Sequence, residues 1–196
     1  KPIRMSKRKG TMVTFRELVD EVGADATRYT LISRSSNQAI DFDIEAVKEK
    51  SSDNPVYYVQ YAHARICSIL RKAAGVTPEE AAEMGMDAVA AKAIGDNVDY
   101  ALLTDPTELA LSRKISELQD LIAGCARDRA PFRLTHFVEE LAGDFHSFYQ
   151  ACQVLPSEGR PVDADLSHAR LAACDAVRNV IKLVLSLIGV SAPEQM

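Results

Sequence analysis

The sequence has no uninterrupted apolar run of about 18 residues, which excludes a helix that crosses a membrane. After the basic start KPIRMSKRKG comes TMVTFRELVDEV, amphipathic and acidic where a secretory leader would be apolar, so no export signal is expected. The four cysteines form no CxxC pair and lie far apart in helix-like apolar contexts, the pattern of free buried thiols in a reducing compartment. A cytoplasmic protein is expected. His63 and Cys67 stand four apart, but with no second pair of ligands they carry no expectation of a metal. Strand patterns are nearly absent, and no glycine-rich turn or βαβ alternation marks a nucleotide-binding fold. Positive charge is not in excess either. Acids outnumber bases 28 to 23, for a net charge of −5, which excludes a uniformly positive surface for nucleic acid. Residues 1–34 nevertheless hold eight Lys/Arg against four Asp/Glu.

What remains is helix. The 196 residues, 47% apolar, suit one large domain, or one domain with a small appendage. Thr14 with Glu17 reads as a capping box opening a helix that stops at Gly23. Asp25 reads as the cap of a second helix, ATRYTLISR, and as a local ion-pair partner for Arg28. SRSSNQAIDFD reads as turn material with an extended piece at Ile40 and Phe42. Asp43 opens a helix, and Asn54-Pro55 opens a longer one that ends at Gly75. Residues 76–107, rich in alanine and acids, predict short helices in an insertion. Three long helices follow: 107–127, one capped by Thr135 and ending before Pro156, and one from Leu166 to Gly189. The last is so apolar in its final turns that it must be central. The expected fold is an all-α helical bundle.

Two constellations could carry chemistry. The first is the basic loop Arg4-Met5-Ser6-Lys7-Arg8 with Gly10 behind it, which reads either as a phosphate-handling loop or as a solvated basic terminus. The second is a helical stripe. Tyr58, Tyr61 and Arg65 fall within a sector of about 60°, while Val59, Ala62, Ile66 and Ile69 face elsewhere. Two ring faces and a planar guanidinium suit unpaired RNA bases. They equally suit amphipathic packing with hydroxyls at the surface, and Tyr57 fits either reading. Phe145, His146, Phe148 and Tyr149 on a later helix could reach RNA as neighbours of the stripe, with core packing expected for at least one of Phe145 and Tyr149, which stand four apart.

RMSKR, GADATRYTLI at 23–32, NPVYYVQYAHAR at 54–65 and the final GVSAPEQM, in that order, resemble the C-terminal part of the arginyl-tRNA synthetase family, class I enzymes, in a bacterial form. RMSKR resembles the KMSKS signature loop. DATR resembles the sequence that names the DALR anticodon-binding domain, with Thr27 in place of leucine. The resemblance implies residues 1–40 as the loop and linker that end a catalytic domain, and 41–196 as an anticodon-binding bundle with 76–107 as a variable insertion. It also implies that the adenylation domain lies upstream, so this chain alone is expected to be inactive as an enzyme.

By the same resemblance, Lys7, with Arg4, Met5 and Ser6, would close over departing phosphates in the intact arginine–tRNA ligase. ATP with Mg2+ would be used there, and no cofactor is expected here. Tyr58, Tyr61, Arg65 and Met196 would border the anticodon, with a middle cytosine at Tyr61 and Arg65. The implied partner is arginine tRNA, with arginine and ATP engaged only through the catalytic domain, and neither membrane nor DNA. The alternative is a non-catalytic acidic helical scaffold that binds protein partners.

Overall fold

Capping chemistry starts the first helix of the computed structural model, which describes residues 14–40, 42–49, 51 and 53–196. The Thr14 hydroxyl accepts from the Glu17 amide at 3.2 Å, and the Glu17 carboxylate accepts from the Thr14 amide at 2.7 Å, opening α1 (Phe15–Val22). Helix α2 (Ala24–Ile32) follows directly from Gly23. Asp25 is therefore not its cap, contrary to the sequence pattern. It sits inside the first turn, and its carboxylate accepts from the Gln60 side chain at 3.0 Å and from the amide (3.2 Å) and hydroxyl of Ser191. Nor does Asp25 pair with Arg28, whose side chain crosses instead over Gly189, where φ is 69° and no Cβ stands in the way.

Residues 33–40 and Phe42 form turns and coil, not an extended strand. Asp43 then caps α3 (Ile44–Lys48), accepting from the amides of Glu45 and Ala46. Helix α4 (Pro55–Ala74) begins with Asn54 at the cap position and Pro55 first in the helix, and ends on left-handed Gly75. The Asn54 side chain makes no cap bond. It donates to the carbonyls of Val47 and Glu49 at 2.8 and 2.9 Å, tying the end of α3 to the start of α4.

The 76–107 segment does form short helices, α5 (Pro78–Met84) and α6 (Met86–Ile94), with a 3-10 turn at Tyr100–Leu102. It also contributes core: Met86, Val89, Ala90 and Ala93 are buried as α6 packs on α4. The expected single helix at 107–127 is two, α7 (Pro106–Ser116) and α8 (Leu118–Asp128). Ser112 and Ser116 donate back to the carbonyls of Glu108 and Arg113, and the Glu117 amide tightens onto Lys114 O at 3.2 Å. Such back-bonding serines bend a helix. Helix α9 (Phe132–Ala151) starts three residues before the anticipated Thr135. Arg129 ends α8 in the left-handed region (φ 52°), Pro131 launches α9, and Thr135 lies inside it, donating to Phe132 O at 2.8 Å.

Helix α10 (Ala164–Leu187), capped by Asp163, packs against α4, α6, α7 and α9, the central position expected of it. Val177, Ile181, Val184 and Leu185 meet Val59, Ile66 and Leu70 of α4 and Leu141, Phe145 and Phe148 of α9, all of them buried. The α2 helix docks on the bundle through buried Ala26, Thr27 and Tyr29, whose hydroxyl lies 2.9 Å from Glu139 Oε1 and 3.3 Å from Thr135 O. The four thiols are free and buried; burial pushes Cys67 up to about 11 and Cys174 up to about 12. No helix among the described residues is long and apolar enough to cross a membrane.

Two arginines, Arg178 buried and Arg170 half-buried, lock α10 to its neighbours. Arg178 donates to Asp87 of α6 and to Asp175, each at 2.7 Å. Arg170 pairs with buried Glu108 of α7 at 2.7 Å and donates to Gln153 O at 2.8 Å. Residues 190–194 run back as a strap along a polar face of α4. Gln60 donates to Ser191 O at 3.0 Å, His63 Nδ1 to Pro193 O at 2.8 Å, and Arg71 to Glu194 O at 3.0 Å.

Three outcomes are expected in urea denaturation. Asp25→Ala, which unties the strap from α2, lowers stability by about 1–2 kcal/mol, the cost of charge-assisted bonds at a partly exposed site. Glu108→Ala lowers it by about 3 kcal/mol, because Arg170 loses its buried counter-charge. His63 has a pKa lowered mainly by burial. The unfolded chain therefore takes up protons first, and stability falls as pH drops below the ordinary histidine value of 6.5. The stability loss between about pH 7.5 and about pH 5.5 shrinks in His63→Gln.

Candidate nucleic-acid interface

Helix α4 carries three faces. The apolar side enters the core, and Gln60, His63, Cys67 and Arg71, within a sector of about 80°, lie under the strap. The remaining sector holds Tyr57, Tyr58, Tyr61, Arg65, Ser68 and Lys72. The structure brings three of the anticipated site residues, Tyr58, Tyr61 and Arg65, together on it. Tyr61 is 39% exposed, with its ring stacked on Tyr57 at 6.2 Å between centroids. Arg65 places its guanidinium 4.5 Å from the centroid of the Tyr149 ring and 5.8 Å from that of Tyr61, and donates to the Tyr61 hydroxyl at 3.3 Å. Tyr58 is the more enclosed: its ring lies 4.9 Å from His146, and partial burial raises its pKa.

Helix α9 supplies the opposite wall and separates the four aromatic residues of FHSFY cleanly. Phe145 and Phe148 are fully buried. His146 and Tyr149 face α4, and His146 lies 6.1 Å from the Tyr61 ring. Burial, aided by the Arg65 charge, lowers the His146 pKa, and its Nε2 is buried with no hydrogen-bond partner. The composition of FHSFY left these roles ambiguous. The signal that could have found them is its period: positions 145 and 148 share one side of a helix, while 146 and 149 share the next.

Below Tyr61 the two helices and the segment after α9 enclose a cleft of about 470 Å³, lined by Tyr61, Arg65, Lys72, Tyr149, Gln153 and Arg160 among others. Its far wall is held from behind. Ser167 donates to Val154 O at 2.7 Å and Arg170 to Gln153 O at 2.8 Å, so α10 fixes the backbone that carries the wall. Met196 is 55% exposed and does not line this cleft, so the structure does not bring it together with Tyr61 and Arg65 there. Lys7, with Arg4, Met5 and Ser6, lies outside the described residues. His63 and Cys67 face the strap, with Nδ1 engaged by Pro193; no group of three metal-binding side chains occurs among the described residues.

This arrangement offers stacked rings, a planar donor and a cationic cleft, with Tyr61 accessible to a ligand. Known proteins resemble this chain in sequence and fold. Residues 59–196 match the family model described as the DALR anticodon binding domain. Over 195 residues the chain is 44% identical to an arginine–tRNA ligase of Frankia alni, covering all of this chain and 33% of that protein. It is 42% identical over 196 residues to the arginine–tRNA ligase of Staphylococcus aureus, covering 32% of that protein. The chain thus spans about a third of the length of the curated relatives it matches. A solved structure assigned as an arginyl-tRNA synthetase of Campylobacter jejuni superposes with a TM-score of 0.75 at 28% identity, covering 100% of this chain and 38% of that one. The Thermus thermophilus arginyl-tRNA synthetase gives 0.67 at 23% identity over 97% of this chain and 29% of its own, a likeness in fold. With the family model matched over α5–α10 and most of α4, the chain belongs to the DALR anticodon-binding domain family.

Proposed function

We propose that this chain reads the anticodon of arginine tRNA as the C-terminal part of an arginine–tRNA ligase in the cytoplasm. The observation that carries the reading is the accessible stripe of Tyr61 and Arg65 beside Tyr149, on a face of α4 that neither the core nor the strap covers. A base splayed from the loop stacks on Tyr61, a sequence-tolerant attraction because every base has a π-face. Arg65, held over the Tyr149 ring, presents its N–H donors to the base edge. A middle cytosine offers two adjacent acceptors, O2 and N3, which that planar donor pattern suits. Tyr58 backs the stripe against His146, and Met196, outside the cleft and two residues beyond the strap, is the fourth member of the proposed set.

In the same reading residues 1–40 are the loop and linker joining the catalytic domain, and 41–196 are the anticodon module. ATP with Mg2+ supplies the adenylation chemistry of the intact ligase. Lys7, with Arg4, Met5 and Ser6, serves that step by stabilising charge on the departing pyrophosphate. The chain described here contributes grip on the tRNA.

The test is fluorescence anisotropy with arginine tRNA and with a transcript whose middle anticodon cytosine is replaced. Tyr61→Ala is expected to weaken binding of the cytosine-bearing tRNA by about 1–3 kcal/mol, roughly 5- to 150-fold. The replaced transcript should bind the original chain more weakly, through loss of the Arg65 contacts, and should weaken further on Tyr61→Ala because the replacement base still stacks. Unchanged affinity in a folded Tyr61→Ala chain removes this residue from the site. Indifference to RNA together with tight association to another protein would favour the acidic scaffold instead.

A further inference from the structure

The cleft below Tyr61 has a charge pattern at odds with the chain that contains it. Acids outnumber bases in the sequence, yet the lining holds Arg65, Lys72 and Arg160 and no Asp or Glu. Elsewhere five cations, Lys48, Lys114, Arg133, Arg170 and Arg178, each meet a carboxylate within 3.2 Å. Among the described residues, none of the three cleft cations has a carboxylate partner. Arg65 is engaged by the Tyr61 hydroxyl and two rings, which leaves Lys72 and Arg160 as the unneutralised pair.

Their placement is built. Lys72 lies eleven residues after Tyr61 on the same helix, about 16 Å further along α4. Arg160 faces it from a tight turn in which the backbones of Ser157 and Arg160 bond reciprocally at 3.2 and 3.0 Å. That turn is braced by Gln153, which donates to Leu155 O at 2.6 Å and to Ser157 Oγ at 3.2 Å, and α10 fixes the start of the same segment. A cationic end some three helical turns from a base-stacking end matches a strand of RNA, whose backbone charge continues past any one splayed base.

We propose that Lys72 and Arg160 form a phosphate clamp that grips the RNA backbone further along the strand from the base taken at Tyr61. The inference rests on the RNA-binding reading of the same cleft. The clamp positions and does not select: phosphate contacts add affinity and salt dependence without reading sequence. Lys72 also lies in the last turn of α4, where a cation favours the helix dipole, so stability is measured alongside.

The experiment uses the whole chain and labelled anticodon stem-loops of arginine tRNA, one with the middle cytosine and one with it replaced, at about 50 and about 200 mM salt. Lys72→Gln and Arg160→Gln should each weaken both loops by the same factor. Each should also lower the log–log salt slope by about 0.7, so that its defect shrinks about 2.6-fold between the two salts. The double variant should lose about twice that slope. Inorganic phosphate added at matched ionic strength should leave these differences intact; if it erases them, the site takes free phosphate and the clamp is overturned. A folded variant with the original slope, or a loss confined to the cytosine loop, also overturns it. If the unmodified chain binds both loops equally, the base-reading function fails while the slopes still decide the clamp. Binding of neither loop overturns both.

Discussion

Helix α4 is fixed from two sides at once, and the rest of the molecule follows from that. Its apolar residues are taken by α9, α10 and α6, and the Gln60 amide, His63 Nδ1 and the Arg71 guanidinium, on its buried polar face, donate to carbonyls of the strap. Buried polar groups without partners would be costly, so the strap is what permits α4 to bury a second face. The sector left over is the one that carries Tyr61 and Arg65. The aromatic stripe is accessible because the other sides of the same helix are occupied.

Charge is used in two ways by this acidic chain. Between helices, Arg170 with Glu108 and Arg178 with Asp87 join α10 to α7 and α6, and the first of these reaches on to Gln153. The ion pair thereby connects the bundle interior to the wall of the cleft. At that wall Arg160 has no carboxylate partner among the described residues. The same side-chain type therefore secures the scaffold at Arg170 and is left available at Arg160, ten residues earlier.

Much of this was legible in the sequence because its signals are local. The capping box at Thr14, the Asp43 cap, Pro55 at the start of α4 and Gly75 at its end all act within one turn, and the structure has each of them. The Tyr58, Tyr61 and Arg65 stripe follows from helical period alone. The failures are long-range. Asp25 looks like a cap until Ser191 and Gln60 offer it partners, and Asn54 keeps its cap position while its side chain serves α3. The break at Glu117 depends on how serines bond back to the helix. The sorting of Phe145 from His146 depends on which neighbour each side faces. Gln153 and Arg160 sit in a segment without periodicity, where nothing in the residue pattern announces a wall.

The strap has one more consequence, which concerns time. Ser191 reaches Gln60 across 131 residues of chain, and Asp25 across 166. During synthesis the polar face of α4 emerges long before the carbonyls that satisfy it, and every intermediate length leaves that face to water or to a chaperone. The pairing of distant segments is slow to form, so closure of the strap is a natural last event in folding. Until it occurs α4 is held on one side only, and the base-stacking surface acquires its final placement no earlier than the chain acquires Ser191.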